Sequence, residues 1–171
     1  MEMMDMSESK DVIYTCLDFE LPTERTLALW MADIGGEIRG WGNHHGKHVT
    51  LQFRPTEAQV ANLPEGRHVG LRVVSFISDE NCQAFGVEIL DPEVKALCEN
   101  EQPHITMWTS RHVSPVYSNG LFERSVGAKE CSEEAHIEGL WKHLGQTEVC
   151  YFDIDGPLIQ GMVTTVKKDK R

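Results

Sequence analysis

No apolar run in this chain approaches the ~18 residues needed to cross a bilayer, so no membrane span is expected. The opening stretch, MEMMDMSESK, lacks the basic and apolar regions of a secretory signal. Cysteines are few and odd in number: Cys16, Cys82, Cys98, Cys131 and Cys150, with no C-x-x-C pair. Neither a disulfide framework nor a zinc knuckle is indicated, and reduced, half-buried thiols in a cytoplasmic protein are expected. There is no H-E-x-x-H, no carboxylate cluster and no Cys/His ligand spacing, so neither a metal nor a cofactor is expected. Positive charge is short as well. Sixteen Lys and Arg face 27 Asp and Glu, for a formal net charge of −11. Affinity for long nucleic acid comes mostly from neutralising many phosphates. So acidic a chain is a poor holder of long duplex or long single strands, although a local basic pocket could take one or two phosphates.

Linkers rich in Pro, Gly or Ser are also missing. What remains is a globular composition, 171 residues with 40% apolar and 25% charged, enough for one domain with its own core. The expected organisation is a flexible leader over residues 1–10, one domain over 11–166 and a solvated basic tail over 167–171, as a monomer. Alternating segments predict strands over 11–18, 48–53, 67–77, 82–90, 104–109, 148–154 and 158–166. The turn SDEN between two of them is a hairpin signal. Helices are expected after Pro22, after Pro55, after the cap Asp91 and after the cap Ser132. Residues 110–131 read mostly as loop, with a turn of helix near Asn119. The class is α+β, with two runs of strand, helix and strand and thus a pseudo-repeat. Trp30, Trp41, Trp141 and Phe152 read as packing.

Two strands repeat one pattern. In HVTLQF, His48, Thr50 and Gln52 alternate with the apolar Val49, Leu51 and Phe53; in HITMWT, His104, Thr106 and Trp108 alternate with Ile105 and Met107. Successive strand residues point to opposite faces, so each strand hides an apolar face and presents an imidazole and a hydroxyl about 6.5 Å apart. If the strands are neighbours, two histidines and two threonines converge. That set suits displacement at phosphorus. One imidazole takes a proton from the attacking water and the other gives one to the leaving oxygen, since both protonation states of histidine are accessible near neutrality. The threonine hydroxyls can donate to the non-bridging oxygens.

Paired in this order, HVTLQF and HITMWTS resemble the two H-x-[ST]-x signatures of the 2H phosphoesterase superfamily. That group includes 2′,3′-cyclic phosphodiesterases, 2′-5′ RNA ligase-like proteins and phage enzymes that cut cyclic nucleotide signals. The segment VGLRVVSFISDENCQAFGVEI and the pairing of HITMWT with PVYSNGLF are similar to the cyclic phosphodiesterase domain of fungal and plant tRNA ligases. The resemblance spans roughly residues 11–125. It implies a bilobal fold of two antiparallel sheets with flanking helices, related by a pseudo-twofold about a central cleft. His48 and His104 would be the acid/base pair, and Thr50 and Thr106 would hold the phosphate. The chain has no counterpart of the ligase and kinase domains of those enzymes, so a role in RNA repair would need separate partners.

Other residues could border such a cleft. Trp108 and Tyr14 are candidates for stacking on a base, and Arg111 for holding phosphate. Lys47, His112, His44 and His45 are weaker versions of the same idea. Ser118 reads as a turn residue or as a residue near the pocket. The expected activity is metal-independent hydrolysis of a 2′,3′-cyclic phosphate on a small nucleotide or an RNA 3′ end, leaving a 2′-phosphate. The alternatives are degradation of cyclic di- or trinucleotide signals and a module that binds terminal phosphates without turnover.

Overall fold

The computed structural model of the protein describes residues 7–35, 42–124 and 150–168. The alternating segments form strands where periodicity places them. In chain order these are β1 (Val12–Asp18), β2 (Asn43–His44), β3 (His48–Phe53), β4 (His68–Ser78), β5 (Cys82–Ile89), β6 (His104–Thr109), β7 (Cys150–Asp153) and β8 (Leu158–Lys167). The helices are α1 (Leu21–Gly35), α2 (Glu57–Ala61), α3 (Pro92–Leu97) and α4 (Tyr117–Arg124). Local chemistry sets their starts. Thr56 and Gln59 form a reciprocal capping box at α2. Asp91 caps α3, its carboxylate accepting from the backbone N–H groups of Glu93 and Val94. In the hairpin between β4 and β5, Asp79 Oδ1 accepts from the N–H groups of Asn81 and Cys82, which is why the SDEN turn closes.

All strand pairs are antiparallel and belong to one hydrogen-bonded sheet in the order β2-β6-β5-β4-β8-β1-β3, with β7 also paired to β4. This differs from the expected pair of sheets. The reason is β4, which bonds β5 along one edge and β8 and then β7 along the other, so the two runs are joined through it. The sheet bends back on itself, and β3 and β6 come within 8 Å of each other, Cα to Cα.

Two connections bring them there. Residues 43–46 run along the edge of β6: β2 pairs with it, His45 N–H donates to the Met107 carbonyl at 2.9 Å and Gly46 N–H to the Thr106 carbonyl at 2.9 Å. The chain then enters β3 at His48. Gly46 has φ +88°, a conformation that glycine alone adopts freely. In return, residues 98–99 run along the free edge of β3. Glu99 N–H donates to the Leu51 carbonyl at 2.9 Å, Phe53 N–H donates to Glu99 Oε1 at 2.9 Å, and the Cys98 thiol lies 3.7 Å from the Thr50 carbonyl. A few residues later the chain enters β6. Each signature strand is therefore preceded by a segment bonded to the other.

The main core includes Leu17, Leu27, Val49, Leu51, Leu71, Val73, Phe85 and Ile105, with Trp30 packed against it as expected. A smaller cluster of Ile77, Cys82, Ala84, Leu121 and Phe122 seats α4 on the sheet. Residues 7–10, at the end of the expected leader, are bonded to the start of α2. Ser9 N–H donates to the Pro55 carbonyl, Glu57 N–H to the Ser7 carbonyl, and Lys10 N–H to the Glu57 carboxylate. The expected helix after Ser132, Cys131, Trp41 and Trp141 lie outside the described residues.

Candidate active site

On β3, Val49 and Leu51 are buried while His48 and Thr50 are half-buried; on β6, Ile105 is buried and Thr106 half-buried, with His104 8% exposed. All four polar side chains line one cavity of about 520 Å³, and Tyr14 of β1 lines it with them. The two H-x-T doublets, far apart in the chain, thus face a common space of a size that takes a small ligand.

The strand alternation breaks at the same place in both. In the pairing of β1 with β3, Thr15 faces Gln52 and Cys16 faces Thr50, so Leu51 is the extra residue of a bulge. In the pairing of β5 with β6, Gln83 faces Trp108 and Ala84 faces Thr106, so Met107 is the extra residue. A bulge re-aims the side chains beyond it. Gln52 turns from the doublet's face and accepts a hydrogen bond from Thr15 Oγ1 at 3.1 Å. Trp108 turns likewise. It is 1% exposed and packs away from this cavity, beside Met31 and Met107 and under Gly42. It is not a stacking platform. Arg111 and His112 are exposed outside the cavity, and His44 lines the small pocket by Trp108. Lys47 and His45 do line the cavity.

Both imidazoles lose proton affinity on burial. The His48 pKa is lowered by desolvation; Asp18, its cross-strand partner, pulls it back up, and His45 and Lys47 push it further down. The Tyr14 ring lies 5.3 Å from the His48 ring. The His104 pKa is lowered by desolvation, against the Gln102 carbonyl and the Asn119 side chain, which raise it. His104 Nδ1 is 2.8 Å from the Gln102 carbonyl. A carbonyl only accepts, so Nδ1 carries the proton and Nε2 of the neutral ring carries the lone pair. The ring also lies against Phe122, at 4.9 Å between centroids.

Ser118 completes the arrangement. Its Oγ is 2.8 Å from His104 Nε2, 2.8 Å from Thr106 Oγ1 and 2.7 Å from the Pro115 carbonyl. From the sequence it reads first as a turn residue, because the segment around it reads mostly as loop with a turn of helix near Asn119. The segment instead enters α4 through successive turns, Tyr117 N–H to Ser114, Ser118 N–H to Pro115 and Asn119 N–H to Val116. The missed signal was Pro115 just ahead of Leu121 and Phe122, with Gly120 diluting the helical pattern.

The sequence model described as the fungal tRNA ligase phosphodiesterase domain matches residues 40–147, which is more than half of the chain. The chain belongs to that family. Phosphodiesterase-like chemistry is the family's character, and both H-x-T doublets fall inside the matched region. The phosphodiesterase-domain chain is also similar in fold to a solved structure titled "Crystal Structure of Fungal RNA Kinase", with a TM-score of 0.57 and 16% identity. The match covers 91% of this chain and 45% of that one, so this chain spans less than half of the structure it resembles. At that identity the likeness concerns the fold. No curated protein sequence matches significantly. Among the described residues of this domain, no group of three or more His, Cys, Asp and Glu could hold a metal, and no helix is long and apolar enough to cross a membrane. Cys16 is buried on β1; burial and then Asp18 push its thiol up to about 12, far from a reactive thiolate.

Proposed function

We propose that this phosphodiesterase-domain protein hydrolyses 2′,3′-cyclic phosphates of nucleotides or RNA 3′ ends, leaving a 2′-phosphate and a free 3′-hydroxyl. The observation that carries this reading is the convergence of His48, Thr50, His104 and Thr106 on one cavity. One neutral imidazole takes a proton from water as its oxygen bonds to phosphorus. The other, protonated, gives its proton to the ester oxygen as that P–O bond breaks. The threonine hydroxyls donate to the non-bridging oxygens, where negative charge grows. Lys47 adds a positive charge at the same wall. No step needs a metal.

Ser118 acts through His104. When the ring is neutral, the Ser118 hydroxyl donates to Nε2. When the ring is protonated, Nε2–H donates to Oγ, and Ser118 turns its own proton to Pro115. One residue thereby accompanies both states of the base. The reciprocal connections, each signature strand preceded by a segment bonded to the other, support reading the cleft as the axis of a pseudo-twofold. The protein is proposed to act as a cytoplasmic monomer on small substrates, given its acidic balance.

The test is a panel of 2′,3′-cyclic mononucleotides and cyclic dinucleotides, assayed in EDTA with products identified by mass spectrometry. Ring opening to the 2′-phosphate is expected. His48→Ala and His104→Ala should each lower kcat by about 10²–10⁴, the usual share of acid–base transfer, with melting curves showing retained folding. Turnover confined to cyclic dinucleotides would favour signal degradation. Binding without product would favour a recognition module. Undiminished turnover in the double variant would rule out this mechanism.

A further inference from the structure

Pro103 leaves a gap in the sheet beside the second doublet. In the pairing of β5 with β6, Phe85 faces Ile105 and Gly86 faces His104, so Val87 stands across from Pro103. Val87 N–H donates to the Pro103 carbonyl at 2.9 Å. Antiparallel residues placed in this way exchange two such bonds. Proline has no N–H, so the return bond to the Val87 carbonyl cannot come from the backbone. The Gln102 side chain supplies it. Its Nε2 donates one proton to the Val87 carbonyl at 3.1 Å and the other to the Pro103 carbonyl at 2.9 Å. The amide has room because Gly86 carries no side chain; a Cβ there would crowd Gln102 Nε2 at 3.3 Å.

The missing N–H belongs to the peptide unit that faces His104. The carbonyl of that unit is the Gln102 carbonyl, 2.8 Å from His104 Nδ1. In this trans unit the carbonyl points one way and the place of the absent proton the other. Tying the unit to β5 on one side therefore aims its carbonyl on the other. Ser118 and Asn119 also bond the His104 ring, but a hydroxyl and an amide can each donate or accept, so neither imposes a tautomer. The carbonyl only accepts, so it does impose one. We propose that Gln102 is a positioning residue for His104: its side chain stands in for the N–H that Pro103 lacks and so fixes the peptide carbonyl that keeps the imidazole proton on Nδ1. For its effect on turnover the proposal rests on the hydrolase reading above, to which it adds the group that leaves Nε2 free to exchange protons.

The test reads the ring directly. Nitrogen NMR of the imidazoles at mildly alkaline pH distinguishes a protonated ring nitrogen from a bare one, with the His104 signals assigned by their loss in His104→Ala. The wild-type ring should carry its proton on Nδ1 alone. Gln102→Met, similar in length but without donors, should show both tautomers. Its kcat on adenosine 2′,3′-cyclic phosphate should fall about 2- to 12-fold with KM little changed, the worth of one hydrogen bond. Adding Pro103→Ala returns a backbone N–H to the ladder and should restore both the spectrum and kcat. An unchanged spectrum in Gln102→Met, or a changed one that Pro103→Ala does not restore, would overturn the assignment. If Gln102→Met does not fold, the double variant decides: a folded protein with the proton on Nδ1 supports the assignment, and an unfolded one overturns it. Should the wild-type protein turn over no cyclic phosphate, the hydrolase reading fails, and the spectra judge Gln102 by the same outcomes.

Discussion

The Ser118 hydroxyl has one proton and three polar neighbours, at 2.8, 2.8 and 2.7 Å, so it cannot donate to all of them at once. Its proton must follow that of His104, since Nδ1 is committed to the Gln102 carbonyl and only Nε2 changes state. Ser118→Ala removes this partner from both forms of the ring. We expect kcat to fall about tenfold, the worth of one hydrogen bond to a charged group, with KM little changed. An unaltered kcat and pH–rate profile would show that the serine only packs. At this scale the sequence was legible for the four doublet residues, because strand alternation places them together. It failed for Trp108 and Gln52, since a bulge one residue earlier inverts the alternation, and for Ser118, whose partners lie in another element.

Among the elements, α4 decides whether Ser118 reaches His104. Two devices hold it. Leu121 and Phe122 are buried against Ile77, Cys82 and Ala84. At its first turn, Tyr117 OH donates to Asp79 Oδ2 at 2.5 Å, and Asp79 is itself buried in the hairpin turn between β4 and β5. The same carboxylate thus closes the hairpin and anchors the helix. Tyr117→Phe removes a hydrogen bond to a charged acceptor, a cost of about 1.5–3 kcal/mol. For a chain of this size that is a Tm drop of roughly 3–12 °C, read by thermal melting. Activity should fall with it, because α4 would hold Ser118 less firmly. A melt identical to wild type would remove Tyr117 from the anchoring role. Strands and the Asp91 cap of α3 were legible as local patterns, whereas α4 was legible only as a turn near Asn119, because its stability comes from the sheet beneath it.

Across the whole molecule, charge and burial act together. His45, His48 and His104 all have proton affinities lowered first by desolvation. Unfolded, each would titrate near 6.5. As pH falls through and below that value, the unfolded chain takes up protons that the folded chain does not, so stability falls with pH. We expect Tm to decline from pH 7 toward pH 5, and a His48→Asn/His104→Asn protein to show a shallower decline. Equal slopes would mean that these rings do not carry the dependence. The mixed class of antiparallel strands and few helices was legible from element order. The joining of the strands into one sheet through β4 was not, because each edge pairing of that strand depends on residues distant in the chain.

By itself the sequence determined the strands, the doubled His-x-Thr pattern and the likeness to cyclic phosphodiesterase domains, because alternation and motif are local properties of the chain. Tertiary structure alone decided that the doublets share one cavity, that Trp108 leaves it while Ser118 joins it, and that one sheet does the work of the two expected. The physical reason is that bulges and edge pairings are settled between distant segments. There a shift of one residue changes which face a side chain occupies.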